Sequence, residues 1–169
     1  GSSYSTEQVL KAIVDAFPKQ TSLIVLEKNQ GKAVAVQSGI LWAQKNTSAD
    51  RFAYLDADLS TSLEECLRLS EGIDKACRFI FGSRILKTDN QIERKWYRFL
   101  IGRVVATAIS TLLGISVYDT QCGCKIMKRD LVDVAFKENF SSRWLFDVEI
   151  FFRLIRAFGK EDMISFSKE

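Results

Sequence analysis

Short runs of buried-type residues alternate with amphipathic segments along the first half of the chain, and that alternation narrows the fold more than any other feature. Leu10, Ile13, Val14 and Phe17 recur at helical spacing over residues 7–17, with Ser5 or Thr6 placed to cap the helix. Residues 21–26 are a short β-branched run that reads as a strand. A polar loop, Glu27-Lys28-Asn29-Gln30-Gly31-Lys32, leads to a helix over 33–44 that buries Val36, Ile40 and Trp42. Phe52-Ala53-Tyr54-Leu55 is a strand running into Asp56-Ala57-Asp58. Thr61 and Ser62, each followed three residues later by Glu64 or Glu65, are overlapping capping boxes for the next helix. Arg78-Phe79-Ile80-Phe81 is a further strand that ends at Gly82-Ser83-Arg84. Helices interleaved with strands in this way predict an α/β domain with a mainly parallel sheet.

The second half has a different texture. Residues 92–113 form a long helical candidate whose apolar positions include Trp96, Phe99, Val104, Ile109 and Leu112, with Arg94, Lys95, Arg98 and Arg103 in its first half. A small and polar stretch, Asp119-Thr120-Gln121-Cys122-Gly123-Cys124-Lys125, precedes a short helix over 131–136. A last helix opens near Trp144 and stops at Gly159. Nothing in the chain has the length and apolarity of a membrane span, and its first residues are polar rather than leader-like.

Composition restricts the chemistry. The 169 residues include no histidine, so Ser-His-Asp triads, histidine zinc sites and imidazole acid–base catalysis are excluded. A net charge of +3 is too small to argue for nucleic acid as a partner. Cys66, Cys77, Cys122 and Cys124 are too few and too unevenly spaced for a four-cysteine zinc site or a disulfide scaffold. They are expected to be reduced thiols of a cytoplasmic protein.

Four constellations bear chemistry. Asp56-Ala57-Asp58 stands where a strand ends, the usual ligand-binding edge of an open α/β sheet. Two carboxylates there suit a hard divalent cation bound to phosphate, and they suit turn capping equally well. The stretch from Asp119 to Lys125 reads either as a tight turn around Gly123 or as a sugar and phosphate contact loop, in which Asp119 and Gln121 orient hydroxyls and Lys125 answers negative charge. Arg84, with Arg94, Arg98 and Arg103, reads either as ordinary surface or as a basic wall for a phosphorylated ligand. Asp147 and Glu149 read as helix N-terminal acids, with a base role open to either if it faces a cleft.

Taken in order, these strings resemble the family 2 glycosyltransferases of the GT-A fold, and within them the dolichyl-phosphate glucosyltransferase and polyprenyl-phosphate sugar transferase branch. Gly1 to Thr6 is similar to the end of a "DDGSxDxT" loop. Asn29-Gln30-Gly31-Lys32 and the residues up to Gly39 are similar to "NxGKGxAVRxG". Asp56-Ala57-Asp58-Leu59-Ser60-Thr61 resembles "DADLxT", and Gly82-Ser83-Arg84 resembles "GSR". Asp119 to Lys125 resembles "DTQCGFK", and Trp144 to Glu149 resembles "WxFDVE". Gln37 stands where the pattern has arginine, and Cys124 where it has phenylalanine.

The resemblance implies a Rossmann-like three-layer α/β/α sandwich with a mainly parallel sheet, incomplete at the N-terminus. It would be a single partial domain over 1–169, with residues 1–90 as the nucleotide-sugar and metal half and 91–169 as the acceptor half. It implies Mg²⁺ or Mn²⁺ held by Asp58 and Asp56, a nucleotide near Lys32 with its ribose near Asp56, and a donor side lined by Gln121 and Lys125. Asp58, Asp119 and Asp147 would serve catalysis, and Arg84, Arg94 and Arg103 would hold the acceptor phosphate. The donor would be a nucleotide sugar, UDP-glucose being favoured, and the acceptor a polyprenyl or dolichyl phosphate. The basic helix would lie on the cytoplasmic face of a membrane, with a homo-oligomer left open. Such an acceptor is already an anionic nucleophile, which agrees with the lack of histidine. Two other readings stay open: a truncated or inactive homologue that binds rather than catalyses, and a family 2 transferase with another lipid or glycan acceptor.

Overall fold

The structure, a computed structural model, describes residues 4–81 and 122–168. Among these residues there are six helices and four strands. They are α1 (Tyr4–Ala16), α2 (Lys32–Asn46), β1 (Arg51–Leu55), α3 (Leu63–Ser70), β2 (Phe79–Phe81), β3 (Cys124–Lys128), α4 (Arg129–Phe136), α5 (Phe146–Phe158), α6 (Lys160–Ser165) and β4 (Ser167–Lys168). Arg84, Arg94, Arg103, Asp119 and Gln121, and with them the long basic helix expected over 92–113, lie outside the described residues.

The sheet order is β1-β3-β2-β4. β3 runs antiparallel to both β1 and β2, and only the β2–β4 pair is parallel. The sheet is therefore mixed and mostly antiparallel, and the expected Rossmann-like GT-A sandwich with a mainly parallel sheet is overturned. The physical reason lies in β3. The crossover through α3 does make β1 and β2 point the same way, as alternating strands and helices require. They are not neighbours, however. β3 inserts between them in the opposite direction and takes the pairings that a parallel sheet would have used. Its register sets Tyr54 opposite Lys125 on one side and Phe81 opposite Lys125 on the other.

A second expectation also fails. Residues 21–26 form no strand; Ile24 and Val25 are exposed there, and the run pairs with no described strand. β propensity alone does not make a strand without a neighbour to supply the ladder. Ser5 and Thr6 lie inside α1 rather than capping it, and α1 leaves Val9, Leu10 and Ile13 exposed. Trp42, expected to be buried in α2, is exposed, whereas Ile40 is buried. A cap and a stop signal do hold. Ser62 is the N-cap of α3 and accepts from the Glu65 N–H at 3.2 Å. Gly159, at φ 84°, ends α5.

The alternation of side chains along each strand divides the interior into two cores. Phe52, Tyr54, Phe79, Phe81 and Met127 face one way and pack with residues of α2, α4, α5 and α6, including Ile40, Leu131, Phe136, Phe146, Phe151 and Leu154. Ile80, Cys124 and Ile126 face the other way and pack with Cys66 of α3, Ile73 and Cys122. Aromatic rings dominate the first core. Phe79, Phe81 and Phe151 meet pairwise with centroids 4.9–5.3 Å apart.

Polar groups close the seams between these layers. Gln37, buried in α2, donates from Nε2 to the carbonyls of Phe136 at 2.7 Å and Glu138 at 2.8 Å, which caps the C-terminus of α4. Arg153 of α5 reaches the same turn through the carbonyls of Ala135, Glu138 and Asn139. Arg129 donates to the carbonyls of Thr47, Ala49 and Gln44 and so ties α4 to the end of α2. The glutamine that departs from the family-like pattern thus has a structural task of its own.

Two expected outcomes test this packing. Gln37→Leu keeps the volume but strips two carbonyls of their donor, so it should destabilise the fold by about 1–3 kcal/mol in urea unfolding. The second concerns alkaline pH. Burial, with Cys66 close by, pushes the Cys124 thiol up to about 12, and burial raises Cys66 as well. A thiol whose folded pKa exceeds its unfolded value stabilises fully below the unfolded value and loses that contribution as pH rises through the folded one. Stability should therefore fall from the ordinary thiol range near pH 9 towards pH 12, and Cys124→Ala should flatten the slope of the urea midpoint against pH.

Candidate active site at the end of β1

The candidate site is built where β1 ends. Strand pairing carries β1 as far as Leu55, and the Asp56 N–H then donates to the Gly123 carbonyl at 2.8 Å, which extends the β1–β3 ladder by one further bond. The chain then turns sharply. Leu59 N–H donates to the Asp56 carbonyl at 3.0 Å, and Leu59 itself takes a positive φ of 50°. The Asp58 carboxylate accepts from the Ser60 N–H at 2.9 Å, an Asx turn that presents Asp58 on the exposed rim. The two carboxylates of the Asp56-Ala57-Asp58 motif therefore stand at different depths, with Asp56 partly buried and Asp58 exposed.

Asp56 is held from two sides. Lys32, the first residue of α2, pairs with its Oδ1 at 2.5 Å. The Lys32 ammonium also lies 5.4 Å from the centroid of the Phe146 ring, a cation–π contact that fixes the lysine over the first core. On the other side is Gly123. A Cβ on this glycine would come within 2.5 Å of Asp56 Cγ and 2.9 Å of Asp56 Cβ. Only a residue without a side chain lets the carboxylate lie there.

The loop entering α2 is shaped for the same purpose. Asn29 Oδ1 accepts from the Gly31 N–H at 2.9 Å, and Gly31 takes φ 91°. The methylenes of Arg143 pack over it, 3.4 Å from where a Gly31 Cβ would be. Arg143 and the exposed Trp144 belong to the turn before α5, where Ser142 Oγ accepts from the Leu145 N–H at 2.9 Å. The Gly31–Lys32 loop, the Asp56 turn and the head of α5 thus converge.

Directly beneath is a buried polar cluster. Lys125 is fully buried, and its Nζ donates to Asp147 Oδ1 at 2.7 Å and to the Cys122 carbonyl at 2.8 Å. Tyr54 donates from its hydroxyl to the same Asp147 oxygen at 2.5 Å. Burial, then the neighbouring Asp147 carboxylate, raises the Tyr54 hydroxyl well above its ordinary value, so the ring stays a neutral donor. Lys125 and Asp147 were expected at the donor side and in catalysis. They come together at 0% and 3% exposure, bonded to each other.

Of the residues singled out from sequence, the structure brings Lys32, Asp56, Asp58, Lys125 and Asp147 to one end of β1. Tyr54, Gly123, Phe146 and Arg143 complete the arrangement and were not foreseen as site residues. Tyr54 carried a signal, as the one polar-tipped aromatic in the strand that delivers Asp56. Among the described residues no group of three or more Cys, Asp or Glu side chains forms a ready metal cage. The donor chemistry at Asp58 nonetheless fits a hard cation of the kind held by one or two carboxylates together with a ligand's phosphates. Asp56, paired to Lys32, is the less open of the two.

Gly123→Ala tests the arrangement. The added methyl must displace either Asp56 or β3, and the expected loss is about 1–3 kcal/mol of stability. The Lys32–Asp56 pair should part with it, seen as a changed Lys32 ammonium resonance in NMR.

The chain resembles several sugar transferases along most of its length. It is 27% identical over 157 residues to a dolichyl-phosphate beta-glucosyltransferase of Trichomonas vaginalis, covering 86% of this chain and 46% of that protein. It is 28% identical over 160 residues to one of Dictyostelium discoideum, covering 90% and 47%. With the Homo sapiens enzyme of the same name it shares 27% over 137 residues, covering 77% and 41%. The chain thus spans somewhat less than half the length of these relatives. The family profile described as glycosyl transferase family 2 matches residues 1–136, which takes in α1 through α4 and the whole Asp56 turn, and the chain belongs to that family.

Proposed function

We propose that this chain takes part in transferring a sugar, glucose in the favoured reading, from a nucleotide sugar to a polyprenyl or dolichyl phosphate. The observation that carries the proposal is the Lys32–Asp56–Asp58 arrangement at the end of β1 in a family 2 chain. The names of the relatives support the choice of sugar and acceptor.

In this reading the residues divide the work. Lys32 answers the negative charge of the donor, and its pairing with Asp56 fixes where the ammonium stands. Asp58 on the rim, with Asp56 behind it, is the carboxylate that would hold Mg²⁺ or Mn²⁺, whose chemistry is to neutralise diphosphate oxygens as they leave. Asp119 and Gln121 are proposed to line the donor sugar. Arg84, Arg94 and Arg103 are proposed to hold the acceptor phosphate, with the basic segment that carries Arg94 and Arg103 proposed to lie on the cytoplasmic face of a membrane. No helix among the described residues is long and apolar enough to cross one.

The reaction needs no histidine. An oxygen of the acceptor phosphate forms the new bond to the anomeric carbon. The bond from that carbon to the nucleoside diphosphate oxygen breaks, with inversion, and the departing diphosphate keeps the electron pair. The nucleophile is already an anion, so no side chain has to take a proton from it.

The test is titration calorimetry of UDP-glucose with Mn²⁺ on the full-length protein. Asp58→Asn should weaken metal-dependent binding by more than about tenfold, at least what the loss of a mere outer-shell partner of a metal ligand costs. Equal binding by the variant would remove Asp58 from the metal role.

A further inference from the structure

We propose that Tyr54, Lys125 and Asp147 form a buried strut that positions Asp56, so that none of the three touches substrate. The inference rests on the reading of Asp56 as a donor-site residue. It differs from the sequence-based roles of Lys125 and Asp147, which placed them against the ligand.

Three connections make the strut. Lys125 Nζ joins Asp147 Oδ1 to the Cys122 carbonyl, so the ion pair fixes the backbone just before β3. The next residue, Gly123, gives its carbonyl to the Asp56 N–H and its open Cα face to the Asp56 side chain. Tyr54, two residues before Asp56 on β1, bonds the same Asp147 oxygen. One carboxylate oxygen at the head of α5 therefore holds both strands that border the Asp56 turn.

Charge and burial favour a positioning role over a contact role. Lys125 has no exposed surface, and its charge is balanced by Asp147 within the fold. Removing either partner leaves a buried charge uncompensated, which would unfold the region rather than report on function. Tyr54 is the member that can be altered gently. Tyr54→Phe removes one oxygen and keeps the ring in place against Phe136 and Phe146.

The experiment has two readouts on the full-length protein, in wild type, Tyr54→Phe, Asp56→Asn and the double variant. The first is hydrogen exchange of the Asp56 amide, which donates to Gly123. It should speed up about tenfold in Tyr54→Phe relative to the amides of β2. The second is UDP-glucose binding with Mn²⁺. Tyr54→Phe should weaken it about fivefold in the wild-type background and cause no further loss in Asp56→Asn, the signature of two residues acting as one. Unchanged exchange at Asp56 would overturn the strut. So would an equal loss of binding in both backgrounds, which is what a general effect on stability would produce. Faster exchange at Asp56 in a protein that binds no UDP-glucose in any form would uphold the strut and refute the donor reading.

Discussion

A lysine and an aspartate stripped of water and bonded to each other under an aromatic core are costly to bury, and much of the site hangs on the pair. Lys125 projects from the middle of the sheet, opposite Tyr54 on one side and Phe81 on the other. Its ammonium lies 5.6 Å from the centroid of the Tyr54 ring. Taking two charges out of water costs several kcal/mol per ion before their attraction repays it. Repayment depends on geometry, and here it is favourable. Asp147 Oδ1 accepts from both Lys125 and Tyr54, and the lysine finds the Cys122 carbonyl as well. Because the pair is worth little unless every partner is in place, it selects one register of β1, β3 and α5 over its neighbours. A slip of one residue along β3 would turn Lys125 to the opposite face and set an apolar side chain against Asp147.

That register determines what the surface presents. Once β3 is locked beside β1, Gly123 lies against Asp56, and the carboxylate occupies the space a side chain would fill. Lys32 then meets it from α2, whose seating depends on Gln37 bonding carbonyls at the end of α4 and on Arg129 of α4 bonding carbonyls at the end of α2. The site is made of residues far apart in the chain. Its geometry follows from buried hydrogen bonds more than from the loop that carries the carboxylates.

Much of this was legible in the sequence, and the part that was not has a physical cause. Local signals reported correctly on local structure. Ser62 caps α3, Gly159 stops α5, and the Asp56-Ala57-Asp58 motif follows a strand. Strand direction is a different kind of information. The alternation of strands and helices gave β1 and β2 the same direction, which is right, but it held no trace of a strand arriving from beyond residue 121 to separate them. Cys124 and Lys125 fall at the end of the polar stretch that begins at Asp119, so the sequence does not show them opening a strand with Ile126 and Met127. A lysine with apolar neighbours on both sides is the pattern of a buried, paired cation in a strand, and Asp147 at the head of an aromatic helix was its available partner. Residues 21–26 show the converse error. Ile24 and Val25 have the composition of a strand and lack the neighbour that would make them one.

The absence of histidine gains a structural side from the same cluster. The reaction proposed for this chain takes no proton from its nucleophile and so has no use for an imidazole, and the buried network contains none. Its tyrosine is pushed upward, away from ionisation, and its lysine and aspartate answer each other. The tyrosine therefore stays a neutral donor to Asp147, and the bond it gives there helps hold the Asp56 turn in shape. For a reaction proposed to run on fixed charges, Lys32 and Asp58 against a diphosphate, constancy of this kind serves better than a proton relay. Electrostatic complementarity to a leaving group is effective when the charges are placed beforehand and do not have to reorganise as the bond breaks.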